Sequence, residues 1–355
     1  KAAVLGAGVM GAQIAAHLVN ANVETLLFEL PAKDGDPNSN VLKAIDNLRK
    51  LEPSPLSVRS KADCIRAANY DQHLELLREC DLVIEAISER MDWKADLYGK
   101  VAPHIAEHAI FASNTSGLSI NKLSESFPAH LRTRFCGVHF FNPPRYMHLV
   151  ELVACRETDP ALLDDLEKFL VTTLGKGVIR ARDTPNFIAN RVGVFSMLAT
   201  IHHAQQFGLG FDVVDALTGP AIGRPKSATF RTADVVGLDT FAHVVKTMAD
   251  TLPDDPWHGH YAIPAWLQKL IDAGALGQKA RRGVYQKAGA DIQVLDVASG
   301  NYRLSTGAAD EQIAELLRNK DSAGKFAQLR ASNHPQAQFL WSIFRDTFHY
   351  CAVHL

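Results

Sequence analysis

The pattern of apolar and polar positions in the first thirty residues alternates between strand and helix. Ala2–Leu5 is a short apolar run that ends at a glycine-rich turn, as a buried strand does. Apolar residues then recur with helical spacing between Met10 and Val19, and residues 23–29 form a second run rich in residues that favour strands. A strand, a helix and a strand in this order predict a βαβ unit and therefore a parallel sheet.

This alternation continues to about residue 184, and it predicts an α/β domain with a mostly parallel, doubly wound sheet. Residues 31–40 are polar and rich in turn formers, so we expect an excursion at the surface there. Further strands are predicted at residues 81–86, 109–112, 135–141, 149–153 and 177–181, with helices at residues 41–51, 92–105 and 160–174.

The pattern changes at the tripeptide Asp183-Thr184-Pro185, beyond which strand signals are absent for about one domain's length. Helices are predicted at residues 188–207, 213–218, 240–252, 265–273, 309–317, 323–329 and 339–355, and a hairpin at residues 291–295 and 302–305. We therefore expect an α/β domain over residues 1–184 and an all-α domain over residues 185–290. Residues 291–355 are expected to form a hairpin linker and the start of a possible second helical domain.

Composition and charge argue against several classes of protein. The chain has 355 residues, of which 47% are hydrophobic and 21% charged, as in an ordinary globular protein with a sizeable core. The net charge of −2 argues against broad electrostatic binding of nucleic acid, and no apolar run is long enough to span a bilayer. The five cysteines include no CxxC pair, so neither a disulfide framework nor a metal site is expected, and reduced thiols fit a cytoplasmic protein.

The turn after the first strand carries the motif Gly6-Ala7-Gly8-Val9-Met10-Gly11. A GxGxxG match can occur by chance, but here it follows a strand and opens a helix inside a βαβ unit, which is the context of a Rossmann dinucleotide site. Gly6 allows the tight turn, Gly8 lets a pyrophosphate approach the backbone, and Gly11 lets the helix pack closely on the strand. The phosphates are then expected at the positive end of the helix.

Glu29 stands at the end of the second predicted strand. A carboxylate at this position accepts hydrogen bonds from the ribose hydroxyls of NAD and repels the additional phosphate of NADP. The alternative is a glycine-rich turn beside an ordinary surface glutamate, and the βαβ context argues against it. The sequence therefore predicts NAD as the cofactor, bound by the six residues of the glycine motif, including Val9 and Met10, together with Glu29.

The polar segment Ser113-Asn114-Thr115-Ser116 follows the strand predicted at residues 109–112. Ligands of open α/β sheets bind at the carboxyl ends of the strands, where a hydroxyl can donate a hydrogen bond to a substrate oxygen. An ordinary polar turn that caps the next helix explains the same residues. The local sequence taken alone slightly favours that second explanation.

His139 and Glu151 lie on two predicted strands that flank the turn Asn142-Pro143-Pro144. If the turn folds the strands together, the carboxylate can hold one tautomer of the imidazole and make it a better base. A base within reach of a substrate hydroxyl, beside a nicotinamide, is what the oxidation of an alcohol requires. A core histidine bonded to a backbone carbonyl is the alternative; His139 alone leaves the two explanations balanced, and the pair with Glu151 favours catalysis.

Asn190 lies just after the proposed domain boundary, in a segment that runs from Asp183 to Arg191. Pro185 suits the first turn of the long helix, so we expect Asn190 about one turn inside that helix, where its amide can face a cleft. Solvation or capping of the helix is the alternative role for this side chain.

Together these segments resemble the 3-hydroxyacyl-CoA dehydrogenase family. The resemblance extends from residue 1 to about residue 285 and rests on the order and spacing of GAGVMG, the acidic residue 29, IEAISE, SNTS, HFFNPP with LVE, and DTPNFIANR. It implies NAD-dependent oxidation of L-3-hydroxyacyl-CoA to 3-ketoacyl-CoA in fatty-acid β-oxidation. It also implies His139 as general base with Glu151 as its partner, Ser116 and Asn190 as hydrogen-bonding residues at the reacting oxygen, and Glu89, Lys94, Asn142 and Lys279 as residues near the cofactor.

The chain departs from the small stand-alone members of this family. Asn186 stands where many of them have glycine, and residues 223–231 replace a shorter stretch. These features and the long tail are more similar to bifunctional β-oxidation proteins, in which a second helical domain and an enoyl-CoA hydratase domain are fused to the dehydrogenase. A homodimer, or a fused or associated hydratase domain, is therefore the expected partner. Residues 31–56, near which family members bind CoA, match least well, so no CoA contact is assigned.

Other functions are compatible with parts of the sequence. A related NAD dehydrogenase that acts on a free 3-hydroxy acid or a sugar acid would share the Rossmann half and His139 but show no preference for a CoA ester. A non-catalytic NAD-binding or structural protein would not need Ser116, His139, Glu151 and Asn190 together. A scaffolding role within a larger β-oxidation assembly is compatible with activity.

Overall fold

A computed structural model describes residues 1–354 and divides the chain into two compact units, Lys1–Ile188 and Ala189–Leu355. Leu355, the last residue of the helix predicted at residues 339–355, lies outside the described residues. None of the helices within residues 1–354 is both long and apolar enough to cross a membrane.

The first unit alternates strands and helices along most of its length. It opens with β1 (Ala2–Leu5), α1 (Val9–Asn20) and β2 (Thr25–Glu29), which form the βαβ unit expected from the apolar pattern. The following elements are α2 (Ser39–Leu48), β3 (Ile65–Asn69), β4 (Leu82–Glu85), α3 (Met91–Val101), β5 (Ile110–Ser113), α4 (Ile120–Glu125), β6 (Phe135–Phe140), β7 (Leu149–Ala154), α5 (Pro160–Thr172) and β8 (Gly177–Ala181).

These strands form one sheet in the order β3-β2-β1-β4-β5-β6-β7-β8. The strands β1 to β6 run parallel, β7 runs antiparallel to β6, and β8 runs parallel to β7. The predicted mostly parallel, doubly wound sheet is therefore confirmed. The chain leaves β1 toward β2 and β3, then crosses to the other side of β1 at β4, and such a reversal opens a crevice at the carboxyl ends of the strands.

Helices cover both faces of this sheet, because successive side chains of each buried strand point to opposite faces. Val4 of β1 belongs to the core that contains Ile14 of α1 and Leu166 of α5. Leu5 belongs to the core on the other face, which contains Tyr98 of α3. The two apolar cores fix the carboxyl ends of the strands, where the polar residues of the site stand.

The second unit is mainly helical, as the sequence predicts, and the predicted hairpin is part of a three-stranded sheet whose first strand, at residues 285–288, the sequence does not predict. Its longest helices, α6 (Ala189–Gln206) and α13 (Pro335–His354), pack together, and the rings of Phe195 and Tyr350 stack with centroids 3.9 Å apart. Between them lie α7 (Phe211–Leu217), α8 (Phe230–Val236), α9 (Leu238–Thr251), α10 (Ala265–Asp272), β9 (Tyr285–Ala288), β10 (Asp291–Leu295), β11 (Tyr302–Leu304), α11 (Glu311–Arg318) and α12 (Ser322–Ala331).

The start of α6 differs from the expected position. Asn186 and Phe187 have φ angles of 61° and 50°, a left-handed conformation that an α-helix does not tolerate, so the helix begins only at Ala189. Asn190 therefore lies in the first turn of the helix and not one turn inside it, which corrects the prediction.

Candidate active site

The glycine turn between β1 and α1 is shaped to admit a bound anion. Gly6 has a φ of 100°, which favours glycine, and a Cβ atom on Gly11 would lie 1.9 Å from the carbonyl oxygen of Gly6. A Cβ atom on Gly8 would meet no described protein atom within 4 Å. No side chain within residues 1–354 caps the N-terminus of α1, so its backbone amides can bind a phosphate.

Glu29 is held beside this turn by two backbone amides. Its Oε2 accepts a hydrogen bond from the amide of Ala7 at 2.7 Å, and its Oε1 accepts one from the amide of Leu30 at 2.8 Å. The carboxylate lines a cavity of about 400 Å³, whose walls include Gly6, Gly8, Leu30, Tyr70, Trp93 and Lys100. The predicted cofactor residues Gly6, Gly8 and Glu29 therefore line the same cavity.

The His139 and Glu151 side chains form a buried pair. The two residues are direct neighbours in the antiparallel register of β6 and β7, and Nδ1 of His139 lies 2.7 Å from Oε2 of Glu151. Oε1 of Glu151 accepts a hydrogen bond from the amide of Ile188 at 2.9 Å, and the ring of Phe141 lies 4.4 Å from the imidazole, centroid to centroid. Because Glu151 engages Nδ1, Nε2 is the ring nitrogen that can take a substrate proton.

His139 lines a second cavity, of about 460 Å³, at the carboxyl ends of β4, β5 and β6. This cavity shares Gly8 and residues 86–88 with the cavity beside Glu29, so the two lie on either side of the glycine turn. The predicted site residues along its wall are Gly8, Val9, Met10, Glu89, Ser116, His139 and Asn142.

Glu89 holds the loop that carries Ser116. One carboxylate oxygen accepts hydrogen bonds from the Thr115 hydroxyl at 2.6 Å and from the amides of Ser116 and Gly117 at 2.8 Å and 2.9 Å. Burial alone would raise the pKa of Glu89, but the Thr115 hydroxyl, the charge of Lys94 and the two amides outweigh it and lower that pKa. Glu89 is therefore ionised at neutral pH, and its carboxylate anchors this loop.

Lys94 lies behind the cavity wall and not on it. Its side chain is 1% exposed, and Nζ contacts Oε1 of Glu85 at 2.5 Å and lies 3.8 Å from Oε2 of Glu89. Glu85 is itself fully buried at the end of β4, where it also accepts hydrogen bonds from Tyr98 and Ser113. The structure thus separates Lys94 from the cavity-lining residues with which the family resemblance grouped it.

Two polar residues that the sequence did not single out support the second cavity. The side-chain oxygen of Asn114 accepts a hydrogen bond from the amide of Phe140 at 2.9 Å, which ties the end of β5 to β6 next to His139. Nε2 of Gln13 lies 3.3 Å from the amide oxygen of Asn142. Asn114 was within the polar segment after β5, so its position was a usable signal, whereas nothing in the local sequence pointed to Gln13.

Asn190 and Lys279 belong to the second unit. Asn190 is half-buried in the first turn of α6. Nζ of Lys279 contacts both carboxylate oxygens of Asp239 at 2.7 Å and 2.6 Å. Within the described residues, no group of three or more His, Cys, Asp or Glu side chains is arranged to hold a metal ion.

The residues of the first unit fit NAD. An uncapped helix end with space above Gly8 suits a pyrophosphate, and the fixed carboxylate of Glu29 suits two ribose hydroxyls. The buried histidine–carboxylate pair adds a group that can accept a proton. Fold and site together define an enzyme of the Rossmann dinucleotide-binding class.

Comparison with models of protein families identifies the family within this class to which the chain belongs. A family model described as the NAD binding domain of 3-hydroxyacyl-CoA dehydrogenase matches residues 1–184, and a model of the C-terminal domain of the same enzyme matches residues 187–287. The chain belongs to the 3-hydroxyacyl-CoA dehydrogenase family, which consists of NAD-dependent oxidoreductases. The resemblance seen in the sequence motifs is thereby confirmed, as is NAD as the cofactor.

Individual relatives are similar over most of the chain. A probable 3-hydroxyacyl-CoA dehydrogenase from Deinococcus radiodurans is 41% identical over 81% of this chain and 82% of its own length. A putative fatty acid oxidation complex trifunctional enzyme from Rickettsia prowazekii is 36% identical over 92% of this chain and 46% of its own. The crystal structure of (S)-3-hydroxybutyryl-CoA dehydrogenase from Ralstonia eutropha superposes with a TM-score of 0.67, at 27% identity, over 81% of this chain and 98% of that one.

The chain spans about half the length of some of the curated relatives that it matches.

Proposed function

We propose that this protein oxidises L-3-hydroxyacyl-CoA to 3-ketoacyl-CoA with NAD, and that His139 is the general base. The observation that carries the proposal is the buried His139–Glu151 pair, whose imidazole lines the same cavity as Gly8 and Ser116. The names of the Deinococcus and Ralstonia relatives support a 3-hydroxyacyl thioester of CoA as the substrate.

The pair supplies the proton transfer of the reaction. Nε2 of His139 accepts the proton of the 3-hydroxyl group, and the carboxylate of Glu151 on the opposite side of the ring stabilises the imidazolium that forms. Acid–base assistance of this kind is worth about 10²–10⁴-fold in rate. Burial of both side chains strengthens their interaction, because little water screens it.

NAD, when bound, accepts the hydride that leaves carbon 3 of the substrate. The backbone of Gly6–Gly11 and the carboxylate of Glu29 would hold the cofactor, and Asn142 is assigned to the cofactor side from the family pattern. Ser116 contributes a hydroxyl at the reacting oxygen, and we assign the same role to Asn190 of the second unit. Lys279 is assigned to the cofactor side from the family pattern.

The test is the absorbance of NADH while the protein is given acetoacetyl-CoA, with free acetoacetate and with NADPH in parallel reactions. We expect NADH to be consumed only with the CoA ester, and NADPH to be consumed far more slowly because Glu29 repels its extra phosphate. Equal rates with acetoacetate would indicate a dehydrogenase of free 3-hydroxy acids. Tight NADH binding without turnover of either substrate would contradict an enzymatic role.

The biological setting follows from the reaction class. The Rickettsia relative's name includes a fatty acid oxidation complex, which supports a role in β-oxidation. We propose that the chain works in the cytoplasm, as a homodimer or beside a fused or associated enoyl-CoA hydratase domain.

A further inference from the structure

A fully buried polar cluster stands directly behind the second cavity. The carboxylate of Glu85 accepts hydrogen bonds from Lys94, Tyr98, Ser113 and the amide of Ile87, at 2.5 to 2.8 Å. A carboxylate at 0% exposure is stable only when an opposite charge is nearby and its oxygens accept hydrogen bonds. Lys94 supplies that charge, and the four donors supply the hydrogen bonds. The cluster therefore ties α3 to the adjacent ends of β4 and β5.

Glu89 connects this cluster to the loop after β5. Its Oε2 lies 3.8 Å from Nζ of Lys94, while its Oε1 accepts from Thr115, Ser116 and Gly117. The Ser116 hydroxyl lies 3.3 Å from the same Oε1, too long for a strong hydrogen bond. The backbone of Ser116 is thus held firmly, while its hydroxyl can still turn toward another acceptor.

We propose that Glu89 is a positioning residue for Ser116, and that Lys94 helps to hold the Glu89 carboxylate in place through its charge. This inference rests on the proposed function, because it gives the Ser116 hydroxyl a task at the reacting oxygen. It assigns Glu89 a role that acts through the loop of residues 113–117 and not only through the dinucleotide.

The geometry supports this assignment in two ways. A carboxylate oxygen that already accepts three strong hydrogen bonds from one loop has most of its capacity committed to that loop. Lys94 is 1% exposed, and its ammonium lies 2.5 Å from Glu85 and 3.8 Å from Glu89, so a fixed positive charge stands beside the Glu89 carboxylate.

The experiment compares Glu89→Ala, Thr115→Val and the double variant with the wild-type chain. We measure kcat with acetoacetyl-CoA and NADH, and the Kd of NADH by fluorescence titration. Displacement of a reacting group by about 1 Å costs about 10²-fold in rate, so we expect kcat to fall at least tenfold in both single variants, with the Kd of NADH within threefold of wild type. Because the two substitutions share the Thr115–Glu89 contact, the loss of kcat in the double variant is expected to be smaller than the product of the two single losses.

Thr115→Ser is the matched control, because it keeps the hydroxyl that Glu89 binds and removes only a methyl group. We expect it to recover most of the rate lost in Thr115→Val, and thermal unfolding identifies any variant that has simply lost its fold. A Thr115→Val variant with wild-type kcat, together with a tenfold weaker NADH complex in Glu89→Ala, would overturn the proposal and leave Glu89 as a cofactor ligand.

A second readout does not depend on activity. In the absence of cofactor, we expect the amides of Ser116 and Gly117 to exchange with deuterium faster in Glu89→Ala than in wild type, because their acceptor is gone. Unchanged protection would overturn the proposal even if the enzyme is active. Faster exchange in a protein that does not consume NADH would support the anchoring of the loop and reject the proposed reaction instead.

Discussion

Glu29 is the residue on which selection of the cofactor depends most directly. Its two carboxylate oxygens are fixed by the amides of Ala7 and Leu30 and line the cavity on one side of the glycine turn. We expect Glu29→Ala to weaken NADH binding about 10- to 100-fold, since hydrogen bonds to a charged group are worth about 1.5–3 kcal/mol. Fluorescence titration measures the change, and Glu107→Ala, at an exposed glutamate outside both cavities, is the control. An unchanged Kd would remove Glu29 from the site.

At the scale of single residues, the sequence predicts the positions of side chains on strands better than the positions of side chains on helices. The meeting of His139 and Glu151 could be foreseen in part, because a short connection brings two successive strands side by side, but the register that places them opposite each other comes only from the structure. The burial of Lys94 could not be foreseen, because it depends on which face of α3 turns toward the sheet. The anchoring of Ser116 by Glu89 depends on two loops that are 27 residues apart in sequence.

At the scale of the secondary-structure elements, Gly8 at the start of α1 and Gly99 within α3 allow a matched comparison of two glycines. A Cβ atom at either position meets no described protein atom within 4 Å, but Gly8 faces the cavity and Gly99 lies in α3. We expect Gly8→Ala to keep the wild-type thermal stability and to weaken NADH binding at least tenfold, because the methyl group occupies the space of the pyrophosphate. Gly99→Ala is expected to stabilise the fold by about 0.5–1 kcal/mol and to leave binding unchanged. Equal NADH affinities in the two variants would contradict the placement of the pyrophosphate.

His17 of α1 makes the first unit sensitive to acid. Burial, with a smaller contribution from the charge of Lys176, lowers the pKa of His17 from 6.5 to about 4, and its Nε2 has no hydrogen-bond partner among the described residues. The unfolded chain therefore binds more protons than the folded chain between these two values. The contribution of His17 to the free energy of unfolding is therefore constant above about pH 6.5 and decreases as the pH falls toward 4.

Urea unfolding at pH 7 and pH 5 tests this dependence. Wild type loses free energy of unfolding between pH 7 and pH 5. We expect this loss to be smaller by about 2 kcal/mol in His17→Gln. His130→Gln, at an exposed histidine, should keep the wild-type difference. If His17→Gln and wild type lose the same free energy on acidification, His17 is not buried as described.

The elements that the sequence does not predict are short. β3 is an edge strand of five residues whose only large apolar side chain stands at its start. The helices α4 and α8 have six and seven residues. Segments of this length hold too few apolar positions to show a period, and their structure comes from packing against neighbours. Long elements such as α6 and α13 were predicted to within a few residues, since several turns of one apolar face leave little ambiguity.

At the scale of the whole molecule, the first and last helices of the second unit, α6 and α13, pack against each other. The Tyr350 hydroxyl lies within hydrogen-bond distance of Arg191, Tyr261 and Asp255, at 2.7, 2.9 and 3.2 Å, and all four residues lie in this unit. Residues 291–354 therefore share a core with the helices matched by the family model, and the start of a second helical domain there stays a prediction.

Removal of the Tyr350 hydroxyl tests how much the contacts of α13 contribute to the stability of the second unit. We expect Tyr350→Phe to lower the free energy of unfolding by about 1–3 kcal/mol, because Arg191 and Asp255 lose a buried partner. Tyr146→Phe is the matched control, since its ring is 51% exposed, and it should cost well under 1 kcal/mol. Chemical denaturation followed by circular dichroism compares the two, and equal losses would show that the contacts of α13 contribute little.

We propose that His139, oriented by Glu151, accepts the proton of the substrate in a protein that binds NAD along the glycine turn. A comparison of His139→Gln with wild type tests this role through kcat with acetoacetyl-CoA and the Kd of NADH, after circular dichroism has confirmed the fold. We predict a kcat lower by about 10²–10⁴-fold with the Kd of NADH unchanged. A variant that keeps its turnover, or that loses NADH affinity in the same proportion as kcat, would contradict it.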